Sequence, residues 1–263
     1  MSVYTYERGV VDTTMTPMDS IKYYKYFMQC GLLSMDPQTG HIKAWVGGHN
    51  YKYFKYDHIL SKRQVGSTFK PFVYATAIMN LGMTPCSTVS NATFSERGYT
   101  VPGRGGNPTL KQALANSLNP VAVRLMDMAG SDNVIKLARD LGVTEEIPRG
   151  QLAVALGSSD ITIYEMLGAY STFGNFGNYV KPEMIWRIED ANGRVIKEVK
   201  NETKEVMNEK YAYTMVDLMM GVTKFGIASG ELRRLGVPES VEIAGKTGTT
   251  QNNSDGWFMG ITP

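Results

Sequence analysis

The sequence predicts an α+β fold in which an antiparallel sheet is flanked by helices. Two strand-like runs, 30–35 and 41–46, flank a Pro/Gly turn near the start of the chain, a pattern typical of a β-hairpin. Helical spacing dominates the middle of the chain, and strand-like runs return at 240–248 and 255–261. Strands, then helices, then strands favour an α+β domain whose two ends pair in one sheet.

Composition sets the limits of what the chain can be. Its 263 residues, 43% of them apolar, suffice for one large domain or two small ones. A formal net charge of +2 gives no electrostatic case for binding nucleic acid. No apolar run is long enough to cross a bilayer, and the first residues lack the pattern of a signal peptide.

The chain has two cysteines, Cys30 and Cys86, without C-x-x-C spacing. This excludes a disulfide framework and argues against a metal site built from cysteine. Whether the two cysteines pair with each other is left open by the sequence.

The first 26 residues form a segment of their own. Residues 10–17 are expected to be extended or a loop, and Asp19 is expected to cap the short helix that follows. That helix carries four aromatic residues, Tyr23, Tyr24, Tyr26 and Phe27. Packing of these rings on other side chains explains the cluster better than stacking on a ligand.

A second helix is predicted to begin near Ser67 and to end at Leu81, before Gly82. Pro71 would break a helix interior, so it places the helix start just upstream. Ser67 and Lys70 then share one face of the first turn. A hydroxyl beside an amine can be an activated nucleophile, but a Ser cap followed by a solvated Lys gives the same common S-x-x-K pattern.

The middle of the chain alternates irregular and helical stretches. Residues 84–107 are rich in Pro and Gly, and a loop of that length is typically functional or mobile. Further helices are predicted at 110–115, 121–129, 133–141 with Asp132 as cap, 161–173 and 208–222, and strands within 181–199 around a turn at Asn192-Gly193.

Two more short polar stretches bear on function. Ser117-Leu118-Asn119 lies between two predicted helices, and Lys246-Thr247-Gly248-Thr249 ends a predicted strand. Capping of helix ends and a glycine turn would explain each stretch by itself. Together with Ser67–Lys70, however, they give S-x-x-K, S-x-N and K-T-G in the order found in penicillin-binding proteins and class A β-lactamases.

With these motifs, the chain resembles the transpeptidase domain of class A penicillin-binding proteins, the bifunctional cell-wall synthases of bacteria. The resemblance runs from about Thr13 to the end and is carried by residues 63–72, 114–125, 155–159, 244–250 and 255–258. It implies a penicillin-binding/serine β-lactamase-like fold, with residues 1–28 as a lead-in segment or interdomain linker and 29–263 as the transpeptidase domain.

The resemblance also implies what the family has beyond this chain. A glycosyltransferase domain and a membrane anchor would precede Met1, and a further strand and a C-terminal helix would follow Pro263. The chain is therefore expected to be an excised, C-terminally shortened domain. Residues 84–107 are short and irregular against the family pattern, so the shape of the groove wall that they would form is open.

The resemblance assigns catalytic roles to five residues. Ser67 is the nucleophile, and Lys70 is its base once Lys246, a second cation, has lowered the pKa of Lys70. Ser117 relays a proton to the departing D-Ala amine. Asn119 holds Lys70 and hydrogen-bonds the amide of the substrate.

The same resemblance assigns the binding of the donor peptide. Lys246, Thr247 and Thr249 hold its terminal carboxylate, and Gly248 lets the strand backbone approach the ligand. The backbone N–H groups of Ser67 and Thr249 form the oxyanion hole.

The implied function is that of a peptidoglycan D,D-transpeptidase. It would form cross-links between donor and acceptor stem peptides through an acyl-serine intermediate and would be acylated and inhibited by β-lactams. No cofactor, metal or nucleic acid is expected. Its location would be extracytoplasmic, at the periplasmic face of the bacterial inner membrane, with membrane contact only through an anchor of the parent protein.

Two related functions remain as alternatives. A serine β-lactamase shares the motifs, but no Glu-x-x-Leu-Asn segment provides its deacylating Glu. A penicillin-binding sensor or scaffold domain would be acylated without transferring the acyl group to an amine.

Unrelated chemistries fit less well. A Ser-His-Asp hydrolase has three candidate histidines, His41, His49 and His58, but they lie in hairpin or loop contexts and no G-x-S-x-G surrounds Ser67. A P-loop is rejected because Ser240 stands where its first glycine is required. Metal catalysis lacks an H-E-x-x-H motif or an equivalent.

Overall fold

The computed structural model describes residues 1–96, 98–250 and 253–263. The helices in these ranges are α1 (Pro17–Lys25), α2 (Lys70–Leu81), α3 (Leu110–Ala115), α4 (Asn119–Ala129), α5 (Ser131–Asp140), α6 (Ile163–Gly174), α7 (Glu209–Lys224) and α8 (Ser229–Arg234). Two 3-10 helices cover Gly66–Phe69 and Leu152–Leu156. The strands are β1 (Ser2–Thr5), β2 (Gly9–Asp12), β3 (Leu32–Met35), β4 (Ile42–Val46), β5 (Arg63–Gln64), β6 (Phe94–Glu96), β7 (Tyr99–Val101), β8 (Asp160–Ile161), β9 (Asn178–Val180), β10 (Arg187–Glu189), β11 (Val195–Glu198), β12 (Thr203–Glu205), β13 (Ala244–Thr249) and β14 (Gly256–Ile261).

The chain begins with an antiparallel hairpin, β1–β2, followed by helix α1. Thr16, and not Asp19, caps α1, because the Thr16 side chain accepts the backbone N–H of Asp19. The prediction of Asp19 as cap is therefore wrong. Pro17 occupies the first helical turn, where its missing N–H costs nothing.

The predicted aromatic cluster packs on itself and on the loop before β5. The ring centroid of Phe27 lies 4.5 Å from that of Tyr6 and 5.2 Å from those of Tyr23 and Phe54. Tyr24 also contacts Phe54. Packing is thus confirmed for these rings, whereas Tyr26 lies beyond the helix and is exposed.

Helix α2 lies at the centre of the core. Nine of its residues are buried, and it packs against α4, α5 and α7. It ends as predicted at Gly82, whose φ of 63° lies in the left-handed region that glycine adopts readily. A helix with apolar side chains on all of its faces is surrounded by other elements of the core. The residues at its start are therefore fixed by the core.

The strands at the two ends of the chain do not pair with each other. Among the described residues, β3 pairs with β4 and β13 pairs with β14 as separate antiparallel ladders. Helix α6 packs against both β3 and β14, so side-chain packing links the two ladders. The α+β class is confirmed, but the prediction of one sheet joining both ends is wrong.

The segment 84–107, predicted to be irregular, contains the hairpin β6–β7. The two limbs of the segment are joined at Asn91, whose N–H donates to Gly106 O and whose carbonyl accepts the N–H of Gly105. The sequence did not predict this hairpin for two reasons. Its strands have only three residues each, and they lie in a segment rich in Pro and Gly.

Other elements follow the predictions with local shifts. Helix α5 begins at Ser131 after Gly130, so Asp132 lies in its first turn and is not its cap. A capping box of Thr162 and Glu165 opens α6. The hairpin β10–β11 turns at Gly193, as predicted, with a φ of 80°.

Both cysteines are free and exposed. Within the described ranges, no helix combines the length and the apolar character that crossing a membrane requires.

Candidate active site

Ser67 lies in the 3-10 helix that runs directly into α2, and Lys70 is the first residue of α2. The Lys70 side chain is 0% exposed, and the 3-10 helix has no side-chain cap. A serine cap followed by a solvated lysine is therefore not what the chain forms. The buried lysine needs another explanation, since burial of an ammonium is costly unless it is paired or neutral.

The Lys70 ammonium is bound by the junction between α3 and α4. Its Nζ donates to Ser117 O at 2.5 Å, to Ser117 Oγ at 3.1 Å and to Asn119 Oδ1 at 2.6 Å. Neither side chain caps a helix: Leu118 is the N-cap of α4 and makes no side-chain cap bond. Both polar side chains of the S-x-N stretch are thus directed to the lysine.

Ser117 has an unusual backbone conformation. Its φ of 54° lies in the left-handed region, which costs a non-glycine residue about 1–2 kcal/mol. In this conformation both the carbonyl and the hydroxyl of Ser117 accept hydrogen bonds from one ammonium. Strain held by surrounding structure is frequent at functional sites.

Lys246 enters the same cluster from strand β13. Its side chain is fully buried, and its Nζ donates to Ser117 Oγ at 2.9 Å and to Thr247 O at 3.0 Å. The ammonium groups of Lys70 and Lys246 therefore share one hydroxyl oxygen. Three stretches that are far apart in the sequence meet at Ser117.

Burial shifts the acid–base behaviour of both lysines. Desolvation, followed by the charge of Lys246, lowers the pKa of Lys70 well below the usual 10.5. Desolvation lowers the pKa of Lys246 to about 7. Within the described ranges, neither ammonium has a carboxylate partner that would oppose these shifts. The lowered pKa of Lys70 favours the neutral amine that a general base requires.

A cavity of about 150 Å³ opens at Ser67. Its walls come from Gln64, Gly66, Ser67, Tyr99, Asn119, Ala153, Leu156, Gly157, Ser158, Thr249 and Thr250. No hydrogen bond from another described residue occupies the Ser67 hydroxyl. Asn119 both lines the cavity and binds Lys70, so it connects the open site to the buried lysine cluster.

Glycines allow three backbone segments to approach closely beside Ser67. The N–H of Gly66 donates to Gly157 O at 3.0 Å, and a Cβ on Gly157 would lie 1.9 Å from Gly66 O. A Cβ on Gly66 would lie 2.8 Å from Thr249 O. Real Cβ contacts are not that short, so only glycine fits at both positions. The end of β13 thereby lies against the segment that carries Ser67, next to the predicted oxyanion donors.

Of the remaining residues of the K-T-G stretch, only Thr249 lines the Ser67 cavity. Thr247 is half-buried on β13 and is not part of the cavity wall. Gly248 approaches Val65 O and Thr68 rather than the cavity, with a Cβ position 2.7 Å from Val65 O. Its role in the described structure is close packing of β13 on the Ser67 segment.

Sequence reasoning missed several residues of the cavity wall. They are Gln64, Gly66, Tyr99, Ala153, Leu156, Gly157, Ser158 and Thr250. Leu156, Gly157 and Ser158 lie in the stretch 155–159, which resembles the transpeptidase family but contains none of its three polar motifs. Tyr99 comes from the hairpin β6–β7, for which no signal was found.

A larger cavity of about 220 Å³ lies elsewhere, between α6, α7 and the end of β14. It is lined mainly by apolar side chains such as Phe173, Val216 and Met220. None of the predicted site residues lines it, so the smaller cavity at Ser67 is the candidate active site.

The fold and the arrangement of the three motifs are those of the penicillin-binding proteins, and comparison with protein families gives the same class. The penicillin binding protein transpeptidase domain family matches residues 30–263, so the chain belongs to this family. The penicillin-binding protein middle domain family matches residues 1–28.

Similar proteins of known name show which kind of penicillin-binding protein the chain resembles. The chain is 35% identical over 250 residues to penicillin-binding protein 1A of Aquifex aeolicus, a match that covers 90% of this chain and 33% of that protein. The resemblance to class A penicillin-binding proteins is thereby confirmed. The chain spans about a third of the length of the curated relatives that it matches.

Solved structures show the same fold. Penicillin-binding protein 1A of Haemophilus influenzae superposes with a TM-score of 0.79 at 24% identity, covering 88% of this chain and 41% of that one. PonA1 of Mycobacterium tuberculosis, in complex with penicillin V, superposes with a TM-score of 0.76 at 23% identity and covers 94% of this chain and 70% of that one.

Proposed function

We propose that the chain is a peptidoglycan D,D-transpeptidase domain that forms an acyl-serine intermediate at Ser67 and is acylated there by β-lactams. The observation that carries the proposal is the meeting of two buried lysines, Lys70 and Lys246, at Ser117 Oγ beside the Ser67 cavity. Family membership supports it, as does a structural neighbour that binds penicillin V.

The first step is the attack of Ser67 on the donor peptide, which gives a tetrahedral intermediate. Neutral Lys70 takes the proton of the Ser67 hydroxyl, and Ser67 Oγ attacks the carbonyl carbon of the penultimate D-Ala of the donor peptide. The negative charge that develops on the carbonyl oxygen is held by the backbone N–H groups of Ser67 and Thr249. In other enzymes, removal of one such donor costs about a hundredfold or more in rate.

The second step breaks the peptide bond and transfers the acyl group. The proton on Lys70 passes through Ser117 Oγ to the amine of the leaving D-Ala, along contacts of 3.1 and 2.9 Å that link Lys70, Ser117 and Lys246. The amine of an acceptor stem peptide then attacks the ester carbonyl. The ester C–O bond breaks, and the proton that the acceptor amine loses on forming the new amide bond returns to Ser67 Oγ.

Substrate binding uses the remaining polar groups. Lys246, Thr247 and Thr249 hold the donor carboxylate; an anion favours the charged form of Lys246 and so raises its lowered pKa. Asn119 Oδ1 is occupied by Lys70, which leaves its amide NH₂ to donate to the substrate. Gly248 serves this site indirectly, by letting β13 pack against the Ser67 segment.

Slow hydrolysis of the acyl-enzyme is expected, which separates this function from that of a β-lactamase. The residues described as lining the Ser67 cavity include no carboxylate. Among these residues there is thus no carboxylate to serve as the deacylating base of a class A β-lactamase. Because its substrate is the bacterial cell wall, the domain acts on the extracytoplasmic side, at the periplasmic face of the inner membrane in the parent protein.

A peptide exchange assay tests the proposal. The chain is incubated with an acyl-D-Ala-D-Ala donor and an amine acceptor, and products are identified by mass spectrometry. Release of D-Ala together with the acceptor adduct is expected for the wild type and for Ser158→Ala, a serine of the same cavity without a lysine contact. Ser67→Ala should form neither product. Penicillin acylation without any transfer in the wild type would instead support a sensor or scaffold function.

A further inference from the structure

The hairpin β6–β7 contributes one side chain, Tyr99, to the wall of the Ser67 cavity. Tyr99 is half-buried and packs against the hydrophobic core. No role follows for it from the three polar motifs. Its position beside Ser67 raises the question of what its ring contacts when a substrate is bound.

The segment that leads into the hairpin is hydrogen-bonded to one side chain of α4, Arg124. The guanidinium of Arg124 donates to the carbonyl oxygens of Ser90, Ala92 and Thr93, at 3.1, 3.0 and 3.0 Å. It also lies 5.2 Å from the centroid of the Phe94 ring, within reach of a cation–π interaction. Four successive contacts to one segment fix the point at which β6 begins.

The same helix carries a residue of the candidate site at its first position. α4 begins with Asn119, whose side chain binds Lys70, and Arg124 follows five residues later. Helix α4 thus positions both the lysine cluster and the hairpin that bears Tyr99. The start of the hairpin is thereby tied to a helix of the core through Arg124.

The chemistry of the cavity wall points to an apolar contact. Most of its side chains are small or polar, and Tyr99 and Leu156 are the large ones with apolar surface. Among the described residues, none hydrogen-bonds to the Tyr99 hydroxyl. An aromatic ring without a polar partner, facing an open cavity, offers its face and edge to an apolar group.

We propose that Tyr99 is a specificity-determining residue whose ring packs against the apolar part of the acylamino substituent on the carbon next to the reacting carbonyl of an acyl donor, with Arg124 as the positioning residue for the ring. This rests on the proposed function, because it assumes that Ser67 is acylated. The ligand class is an acyl donor or β-lactam bearing an aromatic or aliphatic substituent.

The test compares two β-lactams that differ in that substituent. Benzylpenicillin carries an aromatic side chain, and 6-aminopenicillanic acid has only an amine there. Acylation rates of the full chain are measured with both, and their ratio is the readout. Tyr99→Ala should lower the ratio about tenfold, the size of effect expected when an aromatic contact is lost. Tyr99→Phe should keep the ratio within about twofold.

Two further variants complete the experiment. Arg124→Met removes three hydrogen bonds and should lower the ratio in the same direction as Tyr99→Ala. Tyr213→Ala, which removes an exposed tyrosine from the larger apolar cavity, should leave the ratio unchanged. Melting temperatures show whether each variant is folded.

Each other outcome overturns the inference in an identifiable way. An unchanged ratio in Tyr99→Ala, or equal losses with both β-lactams, shows that the ring does not contact the substituent. A loss in Tyr99→Phe equal to that in Tyr99→Ala shows that the hydroxyl, not the ring, is responsible. Failure of the wild type to be acylated by either compound refutes the proposed function itself.

Discussion

The ammonium groups of Lys70 and Lys246 lie 3.1 and 2.9 Å from the same atom, Ser117 Oγ, and both side chains are fully buried. Two like charges around one oxygen, away from water, disfavour the state in which both amines are protonated. The arrangement therefore favours the neutral form of at least one of these two amines. This is the physical basis of the proposed chemistry, and several measurable consequences depend on it.

The pH dependence of acylation should report the coupling between the two lysines. The rate is expected to fall as the pH decreases through the lowered pKa of Lys70, because protonation removes the base. Lys246→Met removes the nearby charge, so the pKa of Lys70 rises and the acid limb moves to higher pH. Stopped-flow acylation by a penicillin across pH 5–10 measures the midpoint of this limb.

The midpoint, rather than the absolute rate, is decisive, since Lys246→Met also weakens carboxylate binding. Lys197→Met, at an exposed position of β11, provides the control and should leave the midpoint in place. A midpoint that is the same in the wild type and Lys246→Met would show that Lys246 does not act on the base.

The stability of the chain should depend on pH through Lys246. Its pKa is about 7 when folded and 10.5 as the ordinary value, so between these values the unfolded state binds more protons. The free energy of unfolding therefore rises with pH in this window, by about 1.4 kcal/mol per pH unit for one group. Lys246→Met lacks this contribution.

Denaturant titrations of both proteins at pH 7.5, 8.5 and 9.5 check the prediction. The stability of the wild type relative to Lys246→Met should increase by nearly the same amount, slightly more than about 1 kcal/mol, at each of these steps. A difference that stays constant with pH would mean that Lys246 is protonated equally in the folded and unfolded states.

Substitutions of Ser117 should separate stability from activity. Ser117→Gly relieves the left-handed backbone whereas Ser117→Ala keeps the strain, so Ser117→Gly should be more stable than Ser117→Ala by about 1 kcal/mol. Both remove the hydroxyl shared by Lys70 and Lys246, so both should slow acylation about a hundredfold or more. Thermal unfolding and acylation rates give the two readouts, and near-normal acylation by Ser117→Ala would argue against the proton path.

Gly157 should be intolerant of a side chain because of what lies next to it. Gly157→Ala places a Cβ 1.9 Å from Gly66 O, so the Ser67 segment must move. Gly82→Ala has a similar positive φ but no atom within 4 Å of the new Cβ, and it isolates the cost of backbone strain. Gly157→Ala should lose about 1–3 kcal/mol more stability than Gly82→Ala and most of its acylation rate.

Equal stability losses in the two glycine variants would show that the contact between Gly66 and Gly157 is not tight. Acylation of Gly82→Ala should stay close to that of the wild type, because Gly82 lies at the far end of α2.

The sequence predicted those features that local chemistry determines. Helix α2, its end at Gly82 and the hairpin β3–β4 follow from short-range patterns, and the structure agrees. The motif order predicted which polar stretches would meet, and Lys70, Ser117 and Lys246 lie in contact. The catalytic roles of these residues remain predictions.

Features that depend on distant packing were not predictable in the same way. The hairpin β6–β7 was missed because three-residue strands give little signal, and its position depends on Arg124, which is far along the chain. The left-handed conformation of Ser117 and the close contact of Gly66 with Gly157 arise only when separate segments are brought together. The prediction that the two chain ends pair was wrong, because a sequence pattern shows that strands form but not which strands hydrogen-bond to each other; β3–β4 and β13–β14 are separate ladders that each contact α6.

The central claim is that the Ser67 hydroxyl is the group that is acylated. Intact-mass spectrometry after incubation with a fluorescent penicillin tests it most directly, with the wild type, Ser67→Ala and Ser158→Ala measured side by side. We predict one covalent adduct on the wild type and on Ser158→Ala and none on Ser67→Ala. An adduct of the same mass on Ser67→Ala, or none on the wild type, would contradict the account.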